Sequence, residues 1–159
     1  MIELLTEIDL GDYTMDRYDV LKLDKQLCFP LYACAREMIK EYKPFLDELE
    51  LTYTQYITML VLWEKESINV KALGDQLYLD SGTLTPLLKK LEAKGLVSRK
   101  RSCEDERNLI VSITPAGEAL KDRAVNIPTQ VVKCSNLTRE EHQTMYHLLY
   151  KFLNRNNER

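Results

Sequence analysis

Residues 68–117 read INVKALGDQLYLDSGTLTPLLKKLEAKGLVSRKRSCEDERNLIVSITPAG. Val70, Leu73 and Leu77 recur at helical spacing, Tyr78 to Ser81 interrupt the pattern, and Leu84, Leu87, Leu88 and Leu91 resume it. Two short helices joined by a tight turn are predicted, with Gly95 closing the second after Lys94. LVSRKR (96–101) and NLIVSIT (108–114) are β-branched runs, the second placing Leu109, Val111 and Ile113 on one face, and the polar SCEDER (102–107) separates them. That is a β-hairpin with a charged tip. The fold class that follows is mainly α with a small β-hairpin wing, a winged helix-turn-helix.

In such a layout the second helix enters the major groove with its N-terminal residues toward the bases. Here that end offers Ser81, Gly82, Thr83, Thr85 and Pro86 beside the leucines. Small groups allow close approach to a duplex. Hydroxyls meet base edges or phosphates, the threonine methyls and Pro86 suit thymine methyls, and a helix N-terminus favours phosphate. Ser81 or Thr83 reads equally as an N-cap, a role compatible with phosphate contact. Pro86 is tolerated near a helix start. Lys89 and Lys90 fall further along, toward the DNA backbone, and Arg99 and Arg101 put positive charge on the wing. At the tip, Glu104, Asp105 and Glu106 repel phosphate, whereas Arg107 suits a narrow minor groove and Asp105 suits a forked hydrogen bond to its guanidinium. A solubilising turn accounts for the same tip residues.

Outward from this block, Leu51-Thr52-Tyr53-Thr54-Gln55-Tyr56 forms a capping box, Thr52 capping and Gln55 reaching back, with Leu51 and Tyr56 as a hydrophobic staple. The helix it starts contains YITMLVLWE, apolar on nearly every face and therefore central and buried. Upstream, Asp24 is an N-cap for a helix carrying Leu27, Leu31, Ala35, Met38 and Tyr42, which Pro44 ends after Lys43. Downstream, Pro115 and Gly117 open a helical stretch that Ile127-Pro128 interrupts. Thr138 and Glu141 make a second capping box for a last helix bearing Met145, Leu148, Leu149 and Phe152.

At 159 residues, 45% hydrophobic and 30% charged with five Gly and five Pro, the chain is expected to fold as one largely helical globular domain, not a disordered or disulfide-scaffolded one. No secretion signal and no apolar window of ~18 residues is read, so no membrane contact and a cytoplasmic location are expected. Cys28, Cys34, Cys103 and Cys134 are then expected to be reduced at rest. Net charge is −3, yet residues 1–19 carry six acids against Arg17 while residues 86–101 carry six bases against Glu92. A local basic face on an acidic protein still binds phosphate, because salt screens the remote acids within ~8 Å. A merely solvated surface explains a charge run as well. The two histidines, His142 and His147, offer no base for a cysteine, and neither a metal-ligand cluster nor a phosphate-cradling glycine loop is present, so no enzyme activity and no cofactor are expected.

QLCFPLYA (26–33), YKPFLDELELTYTQYITMLVLWE (42–64), LYLDSGTLTPLLKKLEAKGLVSRKRS (77–102) and DERNLIVSIT (105–114) together resemble the organic-hydroperoxide-sensing branch of the MarR family. The resemblance implies a homodimer with interlocked N- and C-terminal helices, whose two heads read double-stranded operator DNA at a near-palindromic site. Residues 1–19 read from their charge as an acidic extension; over the rest, the resemblance implies a dimerisation and sensor helix over 20–50, a DNA-binding region over 51–117 and C-terminal dimerisation helices over 118–159. It further implies that Cys28 is the redox-sensing residue and that Tyr42 and Tyr53 of the other subunit reach its sulfur, with Tyr32 close by.

Read from the residues alone, Cys28 is a small buried hydrophobe or, in the first turns of a helix, a thiolate favoured by the positive end of the dipole. A thiolate is what a peroxide oxidises, first to sulfenic acid and then, with a thiol, to a disulfide. Cys34, six residues on, is ~9 Å along a helix axis from Cys28, too far for a disulfide, and reads as core. Cys103 reads as a bystander on the wing. Some relatives resolve the sulfenic acid with a second cysteine before the last helix, which makes Cys134 a candidate; a low-molecular-weight thiol is the other. The function expected is a repressor released when organic hydroperoxides oxidise Cys28. The alternatives are a regulator released by a small phenolic ligand, a thiol peroxidase, and a protein-docking module.

Overall fold

The computed structural model describes residues 17–101 and 108–154. Its elements are α1 (Cys28–Glu48), α2 (Tyr53–Lys65), β1 (Ser67–Asn69), α3 (Val70–Leu77), α4 (Ser81–Ala93), β2 (Val97–Arg101), β3 (Leu109–Ile113), α5 (Pro115–Ala124), α6 (Ile127–Cys134) and α7 (Arg139–Asn154). The chain divides into two units, 1–38 and 39–159. In the first, two single-turn 3-10 segments, Asp19–Leu21 and Leu23–Lys25, precede the start of α1. Asp24 lies inside the second of these turns and does not cap α1, which begins at Cys28. Among the described residues no helix is long and apolar enough to cross a membrane.

In the second unit, the capping box at α2 forms as the sequence dictates. The Gln55 N–H donates to Thr52 Oγ1 at 3.3 Å and the Thr52 N–H to Gln55 Oε1 at 3.0 Å. Leu51 and Tyr56 both join the core. The α2 helix is the central one: Tyr56, Met59, Leu62 and Trp63 are buried against Leu73 of α3, Leu84, Leu88 and Leu91 of α4, Val97 and Val111 of the sheet, and Leu120 of α5.

Pro44 does not end α1. A proline inside a helix costs ~3 kcal/mol through a lost amide and a clash one turn back. Beyond it lie Leu46 and Leu49, both buried, and burying one such side chain contributes ~1.5–3 kcal/mol. Two leucines outweigh one proline, and the helix continues. It stops where Glu50 turns left-handed, with the Leu51 N–H donating to Leu46 O and the Glu50 N–H to Asp47 O. The same paired termination closes α3 at Tyr78 and α4 at Gly95, so the glycine was the one of the three that the sequence announced.

The sheet has three antiparallel strands in the order β1-β3-β2, with Ile68 opposite Val111 and Val97 opposite Ile113. Its edge strand β1 was not read from the sequence, because three residues are too few to show alternation. The wing packs tightly against α5. A methyl on Gly117 would lie 2.1 Å from the Leu96 carbonyl oxygen, and the Gly117 carbonyl accepts from Trp63 Nε1 at 2.9 Å. The α7 capping box also forms, the Thr138 N–H donating to Glu141 Oε2 at 2.7 Å and the Glu141 N–H to Thr138 Oγ1 at 3.3 Å.

Candidate nucleic-acid interface and cysteine sensor

On α4 the four leucines are buried and Ser81, Gly82, Thr83, Thr85, Pro86, Lys89 and Lys90 are all exposed. The residues expected to meet DNA therefore lie on the helix side away from the core. The cap is neither Ser81 nor Thr83 but Asp80, whose Oδ1 accepts the Thr83 N–H at 2.9 Å and whose Oδ2 accepts the Thr83 hydroxyl at 3.0 Å. Those bonds, from the Thr83 amide first and its hydroxyl second, hold the Asp80 carboxyl below its ordinary range. The signal was present, since aspartate is a strong N-cap and precedes the apolar stripe directly. Thr85 donates its hydroxyl to Ser81 O at 2.7 Å. Pro86 falls in the second turn of α4, not at its start, and removes the amide that would bond the Gly82 carbonyl.

Arg99 is committed within the protein. Its Nε and Nη2 donate to Glu92 Oε2 at 3.0 and 2.6 Å, and its backbone N–H donates to Oε1 at 3.1 Å. This fork ties β2 to α4, and the Arg99 hydrogen bonds lower the Glu92 carboxyl. Lys100 and Arg101 stay exposed. Asp105, Arg107 and Cys103 lie outside the described residues.

Cys28 is the first residue of α1 and is exposed within the single chain, where none of the described residues packs it into a core. Its place at the end of a 21-residue helix is where the dipole favours negative charge. Tyr32 follows one turn later, and its hydroxyl accepts a hydrogen bond from Arg36 Nη1 at 2.9 Å. Arg36 was not singled out in the sequence. Cys34 is exposed, not core, because the described residues leave that stretch of α1 uncovered.

In the second unit Tyr42 and Tyr53 come together edge to face, ring centroids 5.3 Å apart, and Tyr56 joins Tyr42 at 5.7 Å. Burial pushes the Tyr56 hydroxyl up to about 12 and raises those of Tyr42 and Tyr53. All three phenols are therefore neutral donors near pH 7. Cys134 ends α6, exposed, with its thiol 3.5 Å from Gln130 O. Beside it Ser135 Oγ lies 2.9 Å from His142 Nε2.

Helix, turn, helix and sheet wing, with an exposed face of hydroxyls and lysines on the second helix, define a winged-helix DNA-binding regulator. A family model described as Transcriptional regulator SarA/Rot matches residues 40–124. An organic hydroperoxide resistance transcriptional regulator of Bacillus subtilis is 51% identical over 138 residues, covering 87% of this chain and 94% of the relative. AbfR of Staphylococcus epidermidis, solved reduced and bound to DNA, matches with a TM-score of 0.70 at 32% identity over 85% of this chain and 94% of that one. Disulfide-formed AbfR matches with a TM-score of 0.58 at 35% identity over 81% and 93%. The chain belongs to the MarR family of transcriptional regulators, in its organic-hydroperoxide-sensing branch, and is by that membership a redox-sensing, DNA-binding regulator rather than an enzyme.

Proposed function

We propose that this chain is a cytoplasmic repressor that leaves operator DNA when an organic hydroperoxide oxidises Cys28. The observation that supports the reading is Cys28 itself, the first residue of a long helix, at the end where the dipole favours a thiolate and free of core packing from the described residues of its own chain. In the reduced state two copies pair through their terminal helices, and each presents α4 to one half of a near-palindromic site. Ser81, Gly82, Thr83, Thr85 and Pro86 face the bases, Lys89, Lys90 and Arg101 the phosphates, and Asp105 with Arg107 the minor groove. Arg99 holds the wing on α4 through Glu92 instead of contacting DNA. The partition into a sensor segment over 20–50, a reading region over 51–117 and dimerisation helices over 118–159 belongs to the same proposal.

The thiolate of Cys28 attacks the terminal oxygen of ROOH, breaking the O–O bond. This leaves Cys–SOH and an alkoxide that takes a proton to become ROH. Neutral Tyr42 and Tyr53 of the second copy, with Tyr32, donate to the sulfur before oxidation. Apolar Leu27, Phe29 and Leu31 favour an organic peroxide over hydrogen peroxide. The sulfenic acid condenses with a thiol, releasing water, and the thiol is Cys134 of the second copy or a small cellular one. Loss of the phenol hydrogen bonds turns the heads from half-site spacing. A differential of ~3–5 kcal/mol lowers DNA affinity ~10² to 10⁴-fold.

Binding to the DNA upstream of the coding region, measured before and after cumene hydroperoxide, tests head and trigger together. Wild type is expected to release and Cys28→Ser to stay bound; release by the serine variant refutes the trigger. On a non-reducing gel, Cys134→Ser is expected to lose the linked dimer, and its persistence through Cys28 assigns resolution elsewhere. A second reading has one observation in its favour, an apolar cleft of about 340 Å³ lined by Tyr56, Leu60, Trp63, Val125 and Pro128 with Lys121 at its edge. Release of Cys28→Ser from DNA by a phenolic acid would favour that reading.

A further inference from the structure

We propose that Arg36 is a positioning residue of the sensor: it fixes Tyr32 as a hydrogen-bond donor toward Cys28. This rests on Cys28 being the oxidised residue. Cys28, Tyr32 and Arg36 follow one another at intervals of four along α1. Residues at that spacing lie on one face of a helix, neighbours separated by ~5–6 Å between Cβ atoms. Tyr32 thus leaves the helix one turn after Cys28 and on the same face.

The direction of its hydrogen bonding is set by Arg36. A guanidinium carries donors and no acceptor. The 2.9 Å contact between Arg36 Nη1 and Tyr32 Oη therefore has the phenol oxygen accepting. The single phenolic hydrogen is not spent on that bond and stays available for the sulfur. Had a carboxylate stood at position 36, the phenol would donate to it, and Tyr32 would present only lone pairs to a thiolate. The guanidinium carbon also lies 5.6 Å from the Tyr32 ring centroid, so cation and ring hold each other in place. An O–H whose oxygen accepts a charged donor is polarised and donates more strongly. The effect expected on the sulfur is a larger thiolate fraction and faster attack on a hydroperoxide, with operator affinity of the reduced protein untouched.

The test uses the full-length reduced protein and its Arg36→Met, Arg36→Lys, Tyr32→Phe and Arg36→Met/Tyr32→Phe variants. Two quantities are read on the Cys28 peptide by mass spectrometry: dimedone trapping after cumene hydroperoxide, and iodoacetamide alkylation as a function of pH. Arg36→Met is expected to slow oxidation about 5-fold, the equivalent of one modest hydrogen bond, and to move the alkylation profile to higher pH. Tyr32→Phe is expected to do the same, the double variant no more than either, and Arg36→Lys, still a donor, to fall between. Wild-type rates and profile in Arg36→Met overturn the proposal. So does an Arg36→Met effect that persists undiminished in the Tyr32→Phe background, since the arginine would then act without the phenol. Failure of the underlying reading shows elsewhere, as operator release by Cys28→Ser.

Discussion

In the reading head, Leu84, Leu88 and Leu91 are at most 1% exposed, and the ends of α3 and α4 find their caps within the chain; in the terminal segments Leu21 is 72% exposed, Leu27 70%, Tyr146 63% and Phe152 55%. The same kinds of side chain meet opposite fates. Water-exposed leucine and phenylalanine at this density mark an interaction face. The head completes its own core; the termini carry apolar faces that the described residues do not fill. The reading head is closed by its own side chains, whereas the terminal segments keep apolar side chains in water; under the proposed pairing of two copies, those faces are the ones a second copy would cover.

The largest test of that contrast is Gly117→Ala. The added methyl meets the Leu96 backbone carbonyl, which has no rotamer to escape into, and a loss of about 3 kcal/mol in urea unfolding is expected. A neutral result would mean the head is softer than described. Next comes Leu149→Asp on α7: the dimer dissociation constant by sedimentation is expected to rise about 100-fold, while the near-ultraviolet signal of Trp63, the single tryptophan, stays native. Loss of that signal would show that the head depends on the termini. Thr52→Ala removes one half of the capping box and is expected to cost about 1 kcal/mol, read by the same unfolding curve. The smallest effect is with acid. Asp80 and Glu92 have folded values below their ordinary 3.8 and 4.5, so their contribution is present above those values and lost as pH falls through the lower folded ones. Asp80→Asn, which keeps a capping side chain without the charge, is expected to lower the urea midpoint slightly at pH 7 and to show a shallower fall between pH 5 and pH 2.

What the sequence disclosed follows from distance along the chain. The Thr52–Gln55 box, the α4 leucine stripe, Gly95 and the exposed hydroxyl face are settled by residues within a turn or two of each other. Glu50 and Tyr78 terminate helices in the left-handed conformation that glycine usually marks, so composition concealed them. Pro44 was misjudged because its cost is local and its compensation, Leu46 and Leu49, is tertiary. Arg99 reads as positive charge on the wing, since nothing in its local pattern reveals the fork to Glu92, seven positions back on another element. Cys28 could be placed at a helix start, but its phenol partners came from likeness to a family; within the chain the structure adds Tyr42 beside Tyr53 and Arg36 on Tyr32.

Gly117 also fixes how closely α5 meets the start of the wing. With the Leu96 carbonyl filling the space where a side chain would sit and Trp63 gripping the glycine's own oxygen, the strand pair and α5 have no slack between them. Any displacement of the start of α5 therefore has to carry the Leu96 backbone with it, since no side chain stands between the two to take up the movement.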